Sequence, residues 1–259
     1  MLLALDVGNT EITAGLFHGP ELSAHWRLTT TTERTPDEWS VTLNALLVQA
    51  GHSPNEVRAA VMASVAPSVT QSLIAGLRSA TGSETTTVDA TTRLPIRLDV
   101  DEPLTVGADR IINTLAASRK YGRDAIVVDL GTATTFDCIT RDAVFLGGVI
   151  APGVRTSAET LFRRTSKLPA TELVVPARVI GTRTEECIRA GVMFGAAESI
   201  DGIVGRIKTE WPSREVPVVI GTGGLAETFA PLCRSFDAVD PYLTLYGLSL
   251  AFALLENAH

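Results

Sequence analysis

Apolar residues fill Leu2–Leu5, alternate with polar ones over Ile12–His18 and return over Leu22–Leu28 across the turn signal Gly19-Pro-Glu. This pattern predicts three sequential strands in an antiparallel meander. Thr35-Pro-Asp-Glu carries helix-start chemistry, and Trp39, Leu43, Leu46 and Leu47 then recur at helical spacing, predicting a helix to about Ala50. Arg58–Ser64 follows as an apolar strand, Pro67–Ser79 as a helix and Glu84–Val88 as a short strand. Residues 89–105 are irregular, with Pro95 and Pro103 limiting any helix. Ile111, Ile112, Leu115 and Ala116 then mark a helical stripe over residues 107–121.

The opening pattern then recurs. Val127-Val-Asp-Leu-Gly-Thr-Ala-Thr-Thr-Phe repeats the logic of Ala4-Leu-Asp-Val-Gly-Asn-Thr-Glu-Ile-Thr: an apolar strand, Asp-x-Gly, a polar pair and a second strand. Each copy leads through a turn into a third strand, here Ala143–Ile150, so a whole supersecondary unit is duplicated. Helices are expected over Val154–Arg164, Arg183–Glu210 and Thr244–Glu256, with a strand Val216–Gly221 entering Gly221-Thr-Gly-Gly. The division this suggests is a first domain over residues 1–116 and a second over 117–259.

Length and charge narrow the picture. At 259 residues the chain is long enough for two cores, and 45% hydrophobic with 20% charged residues is an ordinary globular balance. A net charge of -7 without a Lys/Arg cluster offers nothing to nucleic acid or a membrane surface, so neither is an expected partner. Cys138, Cys187 and Cys233 have neither CxxC nor metal-ligand spacing and are read as reduced. With no membrane-length apolar run and no signal-peptide core, the expected location is the cytoplasm.

The two turns suggest phosphate capture. Gly8 or Gly131 lets the backbone approach a ligand, and N–H groups with the hydroxyls of Thr10, Thr132 and Thr134 can ring phosphate oxygens, each charge-assisted bond being worth about 1.5–3 kcal/mol. Asp6 and Asp129 would repel phosphate, so each suits a cation or its waters. A lone Asp-x-Gly-Asn is ordinarily a tight hairpin with an Asx turn; its duplication is what favours a shared ligand, with the two turns expected to face one another across a cleft. At Gly107-Ala-Asp-Arg110, Asp109 either complements a helix dipole or accepts a proton from a substrate hydroxyl, and Arg110 is either solvated or pairs with a substrate carboxylate. The helix start and the neighbouring Arg are both expected to lower the Asp109 pKa.

His18, His25, His52 and His259 stand near turns or the terminus and are read as solvent-facing. Trp26, Trp39 and Trp211 are read as core or interface residues, Arg163 and Arg164 as a solvated helix end, and Thr29–Thr32 as a connection between strand and helix.

Asp6-Val-Gly-Asn-Thr10, Gly107-Ala-Asp-Arg110, Asp129-Leu-Gly-Thr-Ala-Thr-Thr135, Gly147-Gly-Val-Ile-Ala-Pro-Gly153 and Gly221-Thr-Gly-Gly224, in this order, resemble type III pantothenate kinase nearly end to end. The resemblance implies an α/β fold of the acetate and sugar kinase/Hsp70/actin type, with two ribonuclease-H-like domains, each a mixed sheet with flanking helices. It implies a homodimer and transfer of the ATP γ-phosphate to pantothenate. On the matching positions, Asp6, Val7, Gly8, Asn9, Thr10, Glu11, Ile12 and Thr13 would form the first phosphate loop, with Asp6 near Mg2+ through water. Asp129 would hold a monovalent cation, K+ or NH4+; Thr132 would contact ATP, and Gly223 and Gly224 would lie near the adenine. Gly107, Ala108, Asp109 and Arg110 would line the pantothenate site with Asp109 as proton acceptor, and Thr184, in Gly181-Thr-Arg-Thr, would contact substrate. Val100 stands where the family commonly has Tyr, and Glu102-Pro103 where it has Asn-Pro, which bears on substrate affinity. The competing functions are a non-catalytic regulatory or accessory protein of the same fold, and a kinase for another small hydroxylated acceptor.

Overall fold

A computed structural model describes residues 1–257; His259 lies outside them. The chain forms two units: residues 1–119 with the C-terminal segment from Leu243, and Lys120–Tyr242.

In the first unit, β1 (Leu2–Val7), β2 (Glu11–His18) and β3 (Glu21–Thr29) form the meander that their alternation predicts. Helix α1 (Pro36–Gln49) is fixed at its start by a reciprocal capping box: the Glu38 N–H donates to Thr35 Oγ1 at 3.3 Å and the Thr35 N–H to Glu38 Oε2 at 2.8 Å. β4 (Ala59–Ser64), α2 (Pro67–Thr81), β5 (Thr85–Val88), a two-residue β6 (Arg97–Leu98) and α3 (Ala108–Tyr121) follow. Strand order is β3-β2-β1-β4-β5, antiparallel through the meander and parallel for β1-β4 and β4-β5. Leu3, Leu5 and Val7 of β1 pack in one core with Trp39, Leu43 and Leu47 of α1 and Val69, Leu73 and Leu77 of α2. Every second residue of a strand faces the same way, so one face of β1 supplies all three.

The second unit repeats this plan. β7 (Ala125–Leu130), β8 (Ala133–Ile139) and β9 (Val144–Pro152) form the meander; α4 (Val154–Arg164), α5 (Thr184–Glu210), β10 (Val218–Thr222), α6 (Ala226–Phe229) and β11 (Ala238–Val239) complete it. Its strands run β9-β8-β7-β10-β11, with antiparallel and parallel pairings in the same places as before. The register irregularities also correspond, at Leu16/Phe17 against β3 and at Cys138/Ile139 against β9. Five strands in the same order in each unit, with flanking helices, reflect the duplication read in the sequence, and they form the two ribonuclease-H-like domains that the family resemblance implies. The pattern had not revealed β6, α6 or β11, which are too short to carry a period.

The last helix, α7 (Leu243–Glu256), packs on β1, β2 and β4 of the first unit, whereas a division of the chain at residue 116 groups it with the second. Gly15 and Gly247 permit this. A Cβ on Gly15 would stand 2.8 Å from Leu245 Cδ1, and one on Gly247 would stand 2.6 Å from Ile112 Cγ2. Buried Thr244 donates to Asn113 Oδ1 at 2.8 Å. With α7 covering the second face of the sheet, Ala4 of β1 is buried as completely as Leu5.

No helix among the described residues is long and apolar enough to cross a membrane. The three cysteines are free thiols; burial, with Asp201 nearby, pushes that of Cys233 up to about 12. His18 and His25 are exposed, while His52 is half-buried beside Glu56 at 3.4 Å. Trp39 is wholly buried beneath the Arg34 guanidinium, and the Trp211 indole donates to Asp124.

Candidate active site

The first turn is built by the end of β1 and the start of β2, where Asp6 pairs with Thr13 and Val7 with Ile12. Gly8 donates its N–H to Glu11 O at 3.0 Å, and a Cβ on Gly8 would crowd that oxygen at 2.9 Å, so the tight return needs glycine. Asn9, Thr10 and Glu11 are exposed at the tip, and Asp6 and Thr13 are half-buried. Val7 and Ile12 are core side chains, so of the predicted loop these two can offer a ligand only backbone. Glu11 is engaged by Arg27 of β3. Thr30, in the run read as a mere connection, donates its hydroxyl to Gly8 O at 2.7 Å.

At the second turn Gly131 donates to Ala133 O at 3.0 Å. Gly131 and Thr132 are exposed, but Thr134 is buried in β8; its hydroxyl is not available at the turn, because the strand alternation that leaves Thr135 half-buried turns Thr134 inward. Gly153, ahead of α4, lies so close that a Cβ there would collide with the carbonyls of Thr132 and Gly131. Thr156 of α4 donates to Thr132 O at 2.7 Å. On the other side β10 runs parallel to β7 and sets Thr222 level with Asp129. Gly223 has φ of +87° and lies directly against the Asp129 carboxylate, leaving no room for a side chain. Gly224 is exposed beside it.

Asp109 occupies the first turn of α3 and receives the Arg110 N–H on Oδ1 at 2.9 Å. A Cβ on Gly107 would stand 2.5 Å from that Oδ1 and 3.5 Å from Val65 Cγ1. Val65 in turn donates its N–H to Val7 O at 3.0 Å, so it joins the start of α3 to the end of β1 and brings the Asp109 region to the first turn. The sequence had given no signal for Val65. The Asp109 carboxyl is held above its ordinary range, opposite to the expectation from charge alone. Burial is the largest cause and disfavours the ionised form; the Arg110 N–H and guanidinium pull the other way without cancelling it. A half-buried carboxylate with one oxygen fixed and its basicity raised is suited to accept a proton.

Val100 is half-buried in the bend before the turn Pro103–Thr105. Thr184 is the first residue of α5, in the second unit, and lines an apolar cavity of about 670 Å³ with Val154, Leu161, Cys187 and Gly191. Arg163 and Arg164 are exposed, Arg163 facing Glu159 at 3.8 Å.

The donors fit hard cations held partly by other ligands. Among the described residues no group of three or more His, Cys, Asp or Glu is placed to hold a metal by itself. The buried Thr222 hydroxyl has no hydrogen-bond partner and sits level with Asp129, so the two could offer two oxygens to a large monovalent cation. Asp6 offers a single carboxylate, the pattern of Mg2+ completed by water and phosphate oxygens.

A sequence model of the type III pantothenate kinases matches residues 2–206. The chain is 42% identical over 254 residues to the type III pantothenate kinase of Moorella thermoacetica, covering 97% of this chain and 98% of that one. The fold is shared with a putative Baf family transcriptional activator from Campylobacter jejuni (TM-score 0.60, 18% identity, 98% of this chain and 99% of that one). It is also shared with component A of the Acidaminococcus fermentans (R)-2-hydroxyglutaryl-CoA dehydratase (TM-score 0.57, 13% identity, 100% and 99%). A match over most of the chain makes this protein a member of the type III pantothenate kinase family.

Proposed function

We propose that the protein is an ATP-dependent pantothenate kinase that transfers the γ-phosphate to the primary hydroxyl of pantothenate. The product is 4′-phosphopantothenate, in the first step toward coenzyme A. The observation that carries the reading is Asp109: anchored through one oxygen at the head of α3, raised in basicity by burial, and joined through Val65 to the Asp6–Gly8 turn.

In the reaction the pantothenate hydroxyl oxygen forms a bond to the γ-phosphorus as the bond from that phosphorus to the β-γ bridging oxygen breaks. The hydroxyl proton passes to Asp109 and ADP leaves with the bridging oxygen. Phosphoryl transfer runs through a loose transition state, so Asp109 chiefly orients the hydroxyl and accepts its proton late. Arg110 pairs with the pantothenate carboxylate, Gly107 and Ala108 line its site, and Thr184 adds a further contact. Residues 6–13 and Thr132 bind the triphosphate, and Gly223 and Gly224 the adenine side. Asp6 would hold Mg2+, and Asp129 with Thr222 would hold K+ or NH4+; when bound, these cations would supply charge neutralisation of the phosphates. Val100 offers an apolar surface where a Tyr hydroxyl is common, which weakens pantothenate binding more than it alters the reaction.

A homodimer is supported by apolar side chains left uncovered in the second unit: Val179 is 67% and Ile180 81% exposed, and Leu161 and Phe162 of α4 are uncovered as well. An ADP-release assay with pantothenate and a panel of other hydroxylated acceptors, with and without K+, tests the assignment. Preference for another acceptor would replace pantothenate, and no turnover with any acceptor would favour a nucleotide-binding accessory protein.

A further inference from the structure

Each Asp-x-Gly turn is braced by a threonine hydroxyl from the segment that follows its third strand. In the first unit Thr30, one residue beyond β3, donates Oγ1 to Gly8 O at 2.7 Å and its own N–H to Thr10 O at 2.9 Å. In the second unit Thr156, in the first turn of α4 after β9, donates Oγ1 to Thr132 O, also at 2.7 Å. The two segments differ in sequence and in secondary structure, one Thr29-Thr-Thr-Thr and the other Gly153-Val-Arg-Thr, yet both end in the same act on the turn they follow.

A planar trans peptide points its C=O and its N–H to opposite sides. Holding the Gly8 carbonyl toward Thr30 therefore directs the Asn9 N–H away from Thr30, and holding the Thr132 carbonyl toward Thr156 does the same to the Ala133 N–H. A carbonyl turned toward a triphosphate would oppose its charge, whereas an N–H stabilises it. The close seat of Gly153 against the carbonyls of Gly131 and Thr132 keeps Thr156 within reach of its acceptor.

We propose that Thr30 and Thr156 are paired positioning residues for the nucleotide, each locking one turn with its carbonyl averted and its N–H groups presented to phosphate. The proposal rests on the kinase reading above. A hydroxyl that only stabilised a hairpin would affect folding and both substrates alike, and this separates the two roles.

The test uses the full chain with Thr30→Val, Thr156→Val, Thr30→Ser and Thr156→Ser, measuring affinity for a fluorescent ATP analogue, the pantothenate KM and the melting midpoint. Thr30→Val is expected to weaken nucleotide binding about fivefold, the range set by one side chain to backbone hydrogen bond. Thr156→Val should weaken it less, because Thr156 is exposed and water competes for its acceptor. Both serine variants should stay within about twofold of the parent, since the hydroxyl is retained, and the pantothenate KM should not move. Wild-type nucleotide affinity in both valine variants, equal losses in serine and valine variants, or parallel rises in both substrates' constants would overturn the proposal. A parent protein that binds nucleotide but does not phosphorylate pantothenate would sink the substrate assignment while leaving this comparison valid, and one that binds no nucleotide would end both.

Discussion

Gly107 and Asp109 are locked by space: a Cβ on Gly107 would stand 2.5 Å from Asp109 Oδ1, the oxygen that already receives the Arg110 N–H at 2.9 Å. Glycine at 107 is thus the condition for the carboxylate to sit where it does. Gly107→Ala must displace either the carboxylate or the start of α3. A displacement near 1 Å at a reacting group costs on the order of 100-fold in rate. The expected result is a kcat reduced by ten- to 100-fold with ATP binding retained, read from steady-state kinetics and nucleotide titration. A kcat within twofold of the parent would show that the oxygen position does not matter.

Asp109 itself carries opposed demands. Burial raises its pKa, so ionisation at neutral pH costs the folded state what it gives to catalysis. For an acid raised on folding, its contribution to stability is full below the unfolded pKa and is lost as pH rises through the folded one. Asp109→Asn should therefore lose about 10²–10⁴-fold in turnover, bind nucleotide as before and melt no lower than the parent at pH 7. Any stability gain at pH 7 should shrink as the pH falls through the raised folded pKa of Asp109, and be gone below the ordinary aspartate range. The acid limb of kcat/KM in the parent, lying above that range, should vanish from the residual activity of the variant.

The Thr222 hydroxyl is buried and lacks a hydrogen-bond partner beside Asp129, an arrangement costly unless a cation completes it. Replacing K+ by Na+ is expected to raise the ATP KM. Thr222→Val should raise the K+ concentration needed for half-maximal stimulation by several-fold, and its melting temperature should respond less to added K+. If the K+ response of the melting temperature is unchanged in Thr222→Val, this hydroxyl has no part in the site.

Helix α7 meets α3 at Gly247, where a Cβ would stand 2.6 Å from Ile112 Cγ2 and 2.7 Å from Ile112 O. Because one of those atoms is backbone, the contact cannot relax by a rotamer change. Gly247→Ala should destabilise the first unit by about 1–3 kcal/mol, the usual cost of overpacking. Thermal melting and amide exchange should both report it, with the loss of protection concentrated in β1, β4 and α7. Loss confined to residues 120–242 would contradict the seating of α7 on the first sheet.

Local chemistry in the chain was sufficient to place both meanders, most helices and both Asp-x-Gly turns, because alternation, capping residues and glycine act over a few positions. Thr35-Pro-Asp-Glu became a capping box, and the repeat of Ala4–Thr13 at Val127–Phe136 became two sheets of one order. What depended on distant partners was decided only by the tertiary structure. The apolar sequence of α7 fits any uncovered sheet, and only packing selected the first. Charge near Asp109 can be read along the chain, but the burial that outweighs it comes from residues brought in by the fold. Val65, Thr30 and Thr156 reach the end of β1 and the two turns through hydrogen bonds that need proximity in space, which a linear pattern does not encode.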